Sequence, residues 1–122
     1  MKTSERYPVT QGDVIVNYAS SLFDRTVVTA PSLPADVKCG DILNSETFEL
    51  FDSSSASGVP FINLSDMSAD GKPKTLVIVD RHVVITDYFL RAKDDASKKE
   101  ALKRLTASDS IRLATNADYF KA

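Results

Sequence analysis

Thr75-Leu76-Val77-Ile78-Val79-Asp80-Arg81-His82-Val83-Val84-Ile85-Thr86 is the stretch that decides the fold class. Two runs rich in β-branched residues flank three polar ones. Each run is too short for a stable helix and has the composition of a strand. The three-residue link predicts that the two strands pair as a hairpin.

Upstream of this pair the same texture continues. Residues 59–64 read as a strand that begins at an edge, because Pro60 has no N–H to give a ladder. Residues 53–58 form a Ser/Ala/Gly loop. Residues 47–51 alternate in the strand manner, with Phe48 and Leu50 on one face and Thr47, Glu49 and Phe51 on the other. Gly40-Asp41 leads into Ile42-Leu43, and the β-branched residues 26–29 end where Pro31 and Pro34 enforce an extended connection. Downstream, helical signals appear. Asp94, Asp95 and Ser97 offer capping oxygens, Ser97 with Glu100 fits a capping box, and Lys103-Arg104 suit the helix C-terminal end. Ala101, Leu102 and Leu105 make a narrow apolar stripe that predicts a helix lying on the sheet. Residues 110–113 return as a closing strand. The fold class expected is mainly β with one surface helix (α+β).

Residues 1–24 differ from the rest. Residues 1–8 are polar, and Val14-Ile15-Val16 is a short β-branched patch with little apolar company. The division expected is a flexible N-terminal arm over 1–24 and a single β-rich domain over 25–122. The patch, with Tyr7, Pro8 and Val9, is the candidate for adding an extended segment to a partner's strand edge.

Composition narrows the function. The chain has 122 residues, 43% hydrophobic and 26% charged, with a formal net charge of -2, so there is no general pull toward nucleic acid or acidic membranes. No apolar run is long enough to span a bilayer. Residues 1–8 lack the apolar stretch of a secretory leader, and the one cysteine, Cys39, cannot form an intrachain disulfide. Assembly in a cytoplasm is the expectation.

Chemistry-bearing patterns are sparse. His82, the one histidine, lies in a charged turn, where a solvated side chain fits better than a catalytic base. Cys39 before Gly40 reads as a packing thiol. One His and one Cys cannot make a structural zinc site. Residues 66–71 imitate the start of a calcium loop, but Val77 stands where a bidentate Glu is needed. The four glycines form no phosphate cradle. The basic excess over 91–105 has no interleaved aromatics for stacking, and it reads as a solvated helix face. No catalytic residue, metal or cofactor is expected, and the chain reads as a structural or binding module, not an enzyme.

The order of segments resembles the lambda-type head decoration proteins of tailed phages. Thr29-Ala30-Pro31 followed by Leu33 looks like the end of that family's N-terminal arm. Gly40-Asp41-Ile42-Leu43 and then Thr47-Phe48-Glu49-Leu50 are similar to its first paired strands, and residues 58–64 to the strand after a small-residue loop. Residues 75–79 and 83–86 look like its central hairpin. Asp87-Tyr88-Phe89-Leu90, an Asp/Ala linker and Ser97-Lys98-Lys99 resemble the run into its C-terminal helix, and Ser110-Ile111-Arg112-Leu113 its closing strand. The match covers residues 29–113 in order of pattern; the chain departs from it in having no Trp.

The resemblance implies a β-clip-like fold, with bent ribbons closing an incomplete barrel. It also implies a homotrimer on the outer surface of the virion capsid, bound to the major capsid protein and stiffening the expanded head against packaged DNA. Two other readings stay open. One is a different virion accessory or connector protein; the other is a small-ligand or carbohydrate-binding β-module, which would need a deep aromatic-lined pocket.

Overall fold

The computed structural model describes residues 14–18, 25–55, 57–80, 83–86, 89–107 and 110–114. Among these described residues, seven strands and one helix follow in order: β1 (Ile15–Tyr18), β2 (Arg25–Ala30), β3 (Ile42–Asn44), β4 (Pro60–Ile62), β5 (Lys74–Val79), β6 (Val83–Thr86), α1 (Asp95–Leu105) and β7 (Ile111–Ala114). The described residues are mainly β with one helix. The strands form three small sheets, β1-β6-β7, β2-β5 and β3-β4, and none closes into a barrel.

β5 and β6 both form where the sequence places them, but they do not pair with each other. β5 ladders antiparallel with β2, from Arg25 opposite Val79 to Ala30 opposite Lys74. Its other side is met by Leu64, whose N–H donates to the Val77 carbonyl, and by a bridge from Asn63 to Ile78. With both edges of β5 occupied, β6 has no place beside it. It pairs instead with β1 (antiparallel) and β7 (parallel). The hairpin expectation is overturned because a hairpin needs a free edge on each strand. Parallel β6 and β7 need a long crossover, and α1 supplies it.

The N-terminal boundary moves as well. Val14 and Ile15 are buried, at 0% and 6% exposure, and Ile15 sits opposite Ile85 in the β1–β6 ladder. Val16 lies within β1. These three residues belong to the domain, not to a leader that precedes it. The apolar company absent from residues 1–24 comes from β6, which is distant in sequence. Tyr7, Pro8 and Val9 lie outside the described residues.

The interior divides in two, and alternation along the strands explains how. In β3–β4, the pair Ile42–Ile62 faces one cluster and the pair Leu43–Phe61 faces the other. In β5, Leu76 and Ile78 face the second cluster, while Val77 and Val79 face the first. Successive side chains of a strand point to opposite faces, so a pair buried on both sides reads as continuous apolar sequence. The first cluster holds Val14, Ile15, Phe51, Ile85, Leu90, Leu102 and Ile111; the second holds Ala30, Leu33 and Val37. Each fully buried Leu or Ile contributes roughly 1.5–3 kcal/mol by leaving water. Residues 47–51 form no strand: they are a turn with one bridge, Leu43 to Leu50, although Phe48 and Leu50 still pack on the second cluster and Phe51 lies in the first.

α1 begins with Asp94, whose carboxylate accepts from the Ser97 N–H at 2.7 Å. Asp94, not Ser97, is therefore the cap, and Ser97 is buried within the first turn. Ala101 and Leu102 are buried in the first cluster, with Leu105 packed beside them, as the stripe predicts.

Candidate functional site

A groove of about 500 Å³ runs between residues 34–37 and 47–52. Its position follows from the turn after β3. Asn44, 2% exposed, accepts from the Glu46 and Thr47 N–H groups through Oδ1 and donates from Nδ2 to the Ser57 carbonyl. One side chain thus ties the turn to the loop before β4. The next residue, Phe48, takes a positive φ of 61°, a conformation that is costly for a residue with a Cβ. Two contacts hold it there: its N–H donates to the Asn44 carbonyl at 2.8 Å, and its ring meets Phe61 edge-on at 6.0 Å. Residues 49–51 then return beside β3 through the Leu43–Leu50 bridge.

Buried Val37 and Leu43 and half-buried Phe48 and Leu50 supply the groove's apolar lining. Its charges are mostly paired with each other. Arg91 grips Asp41 with Nε to Oδ1 at 3.0 Å and Nη2 to Oδ2 at 3.1 Å. Lys93 Nζ lies 2.9 Å from Asp52 Oδ2. The Asp52 carboxyl is lowered from 3.8 to about 2, first by the Ser54 N–H and then by Lys93 and the Ser54 hydroxyl. Asp36 accepts the Ala69 N–H, and Glu49 remains exposed. Among the described residues Phe48 is the one aromatic in the lining, which gives a sugar ring little to stack on.

The other candidates from sequence fall as follows. Cys39 is buried, and its N–H donates to Asp66 Oδ1 at 2.8 Å. The Asp70 carboxylate is engaged by the Lys72 N–H and by Lys74 Nζ, in turn geometry. His82 lies outside the described residues. No group of three or more His, Cys, Asp or Glu capable of holding a metal occurs among the described residues, and no helix there is long and apolar enough to cross a membrane. In the basic run, Arg91 and Lys93 are paired as above, and Arg104 pairs with Glu100 at 2.9 Å. The Arg104 guanidinium also stands 5.5 Å from the centre of the Phe51 ring.

The structure brings Asp41 and Arg91 together from a distance that sequence spacing could not reveal. Among the described residues, the strand that β2 ladders with is β5. The β-branched content of residues 26–29 signals a strand, but the choice of partner is a property of the assembled sheet. Comparison with family models, with curated proteins and with solved structures finds no match to this chain.

Proposed function

We propose that this chain is a non-enzymatic capsid decoration protein of a tailed phage. In this reading it binds the major capsid protein on the outer surface of the expanded head as a homotrimer, and it stiffens the shell against packaged DNA. The observation that supports it is the order of elements. A β-branched strand ends at Ala30-Pro31, a short strand follows Gly40-Asp41, and another follows a small-residue loop. Two strands, an Asp/Ala linker, a capped helix and a final strand complete the order. That order resembles the lambda-type family over residues 29–113, with the departure that residues 75–79 and 83–86, likened to its central hairpin, pair with other strands.

The mechanism differs from a free arm over residues 1–24, because residues 15–18 are built into the β1-β6-β7 sheet and Val14 is buried beside it. The capsid-binding leader is then the stretch before Val14, which carries Tyr7, Pro8 and Val9. Adding such a stretch to a coat strand edge costs roughly 1–2 kcal/mol of backbone entropy per residue ordered, so one copy binds weakly. Three linked copies gain about 10²–10⁴ in avidity.

Co-sedimentation of the purified chain with expanded heads stripped of decoration tests the reading, with particle mass measured alongside. Saturable binding in many copies per head is the expected result; a protein left in the supernatant overturns it. Deleting residues 2–13 keeps β1 and is expected to abolish head binding without unfolding the domain. Undiminished binding by that deletion overturns the leader mechanism.

A further inference from the structure

The groove between residues 34–37 and 47–52 has walls that are fixed before anything enters it. Asn44 pins the turn through bonds to residues 46, 47 and 57, and the Phe48 ring rests edge-on against Phe61. A volume of about 500 Å³ lies within the roughly 300–1,000 Å³ of sites that take a ligand. A preformed site costs little ordering on its own side when it is filled.

Its charges select the sign of that ligand. Among the described residues the lining carries four carboxylates, Asp36, Asp41, Glu49 and Asp52, against two cations, Arg91 and Lys93. Both cations are already engaged. Arg91 holds Asp41 through two nitrogens, and Lys93 Nζ lies 2.9 Å from Asp52. An incoming anion has to displace one of those carboxylates. Asp36 and Glu49 stand outside the two pairs and are exposed; Asp36 gives one oxygen to the Ala69 N–H. The lining therefore attracts a cation and repels an anion.

The main chain adds a direction. The Asn44 N–H donates to the Glu49 carbonyl, and the Phe51 N–H donates to the Ile42 carbonyl, each at 2.8 Å. These two bonds flank the Leu43–Leu50 bridge, which is therefore a non-hydrogen-bonded pair. The N–H and C=O of Leu50 turn away from β3 as a result. An extended segment laid along residues 49–51 meets that donor and acceptor as a neighbouring strand does.

We propose that this groove seats an extended segment of a partner protein in which a lysine or arginine adjoins an apolar side chain. The apolar side chain lies on the floor made by Val37, Leu43, Phe48 and Leu50, and the cation is drawn to Asp36 and Glu49. Neither feature suffices by itself. Exposed ion pairs contribute little, so the apolar floor supplies most of the affinity and the carboxylates supply the selection. The site lies on the folded domain, apart from the leader before Val14, so it goes beyond the proposed function without resting on it.

Amide NMR titration of the full chain tests this without any capsid present. The probe is a capped peptide in the order glycine, arginine, leucine, lysine, glycine, with a second peptide carrying glutamate in place of both cations. The basic probe is expected to give saturable shifts at Val37, Phe48 and Leu50, half complete at about millimolar concentration. The acidic one should bind at least about tenfold more weakly. Glu49→Lys should weaken the basic probe by about tenfold and Glu49→Gln by about threefold. Glu46→Lys makes the same charge change at an exposed position outside the groove lining, and should stay within about twofold in about 0.15 M salt. Absence of saturable shifts in the lining overturns the proposal, as does equal binding of the acidic peptide or indifference to Glu49→Lys. If the lining shifts follow protein concentration with no peptide added, a second copy is the occupant. If a peptide of residues 1–10 outbinds the basic probe tenfold, the chain's own leader is the occupant. Either result overturns the assignment to a partner.

Discussion

Asp41 and Arg91 are joined by main chain and side chain at once. The Arg91 N–H donates to the Gly40 carbonyl at 3.0 Å, the Ile42 N–H donates to the Arg91 carbonyl at 2.8 Å, and the guanidinium holds both carboxylate oxygens of Asp41. The Asp41 side chain is 4% exposed, whereas that of Arg91 is 59% exposed. The arginine stays largely hydrated, so the two partners are not equivalent. Arg91→Ala leaves a buried carboxylate with the Lys38 N–H as its other donor, and is expected to cost about 2–4 kcal/mol. Urea denaturation measures this. A loss below about 0.5 kcal/mol would mean that the pair behaves as an ordinary surface contact.

Gly58 has a φ of 87°, and a Cβ there would collide with the Asn44 side chain. Gly58→Ala is therefore expected to destabilise by more than the roughly 1 kcal/mol of an unsuitable backbone angle alone. Asn44→Ala should cost about 2–3 kcal/mol, through three lost hydrogen bonds around a buried site. Thermal melts of the double variant should show less than the sum of the two losses, because removing Asn44 clears the collision.

Asp94 and Ser97 have separate tasks at the start of α1. Asp94→Ala removes the cap and is expected to cost about 1 kcal/mol. The Ser97 Oγ accepts the Ser53 N–H at 2.9 Å and lies 3.3 Å from Ser53 Oγ, so besides its contact with the Asp94 carboxylate it ties a loop to the helix. Ser97→Ala should cost about 1–2 kcal/mol. Amide exchange at Ser53 should quicken in Ser97→Ala and stay near normal in Asp94→Ala.

Asp52 predicts an acid-side effect whose sign follows from its lowered pKa. The unfolded carboxyl takes up a proton near 3.8, whereas the folded one resists until about 2. Its contribution to stability is therefore fully present above 3.8 and is lost as the pH falls toward 2. Asp52→Asn should flatten the stability curve in that window and leave its shape at neutral pH unchanged. Carboxyl NMR titration locates the midpoint directly; one at the ordinary value would show that Ser54 and Lys93 do not hold the charge.

Strand identity was legible where β-branched runs were dense, as in residues 26–29, 75–79 and 83–86. The helix was legible from Asp94 and the stripe of Ala101, Leu102 and Leu105. Pairing was not, because it depends on which edges other segments have already taken. Residues 63–64 claim one edge of β5 and β2 the other, a competition invisible from the link at 80–82. Val14 and Ile15 misled for a related reason: a short apolar patch looks stranded until a distant strand, here β6, supplies its neighbours. Among the groove's residues, Phe48 carried no warning of its left-handed backbone, since glycine or asparagine is the usual signal for that conformation.

The β3–β4 pair acts as a bulkhead. Ile42 and Ile62 look into one compartment and Leu43 and Phe61 into the other, with no side chain shared. A methylene lost on one side is felt by its own lining and little by the opposite one. Trimming Ile62 to Val and Leu76 to Val should therefore give losses that sum to within about 0.5 kcal/mol, whereas two changes on the same side should not. Either compartment can be relined over evolutionary time while the other stays as it is.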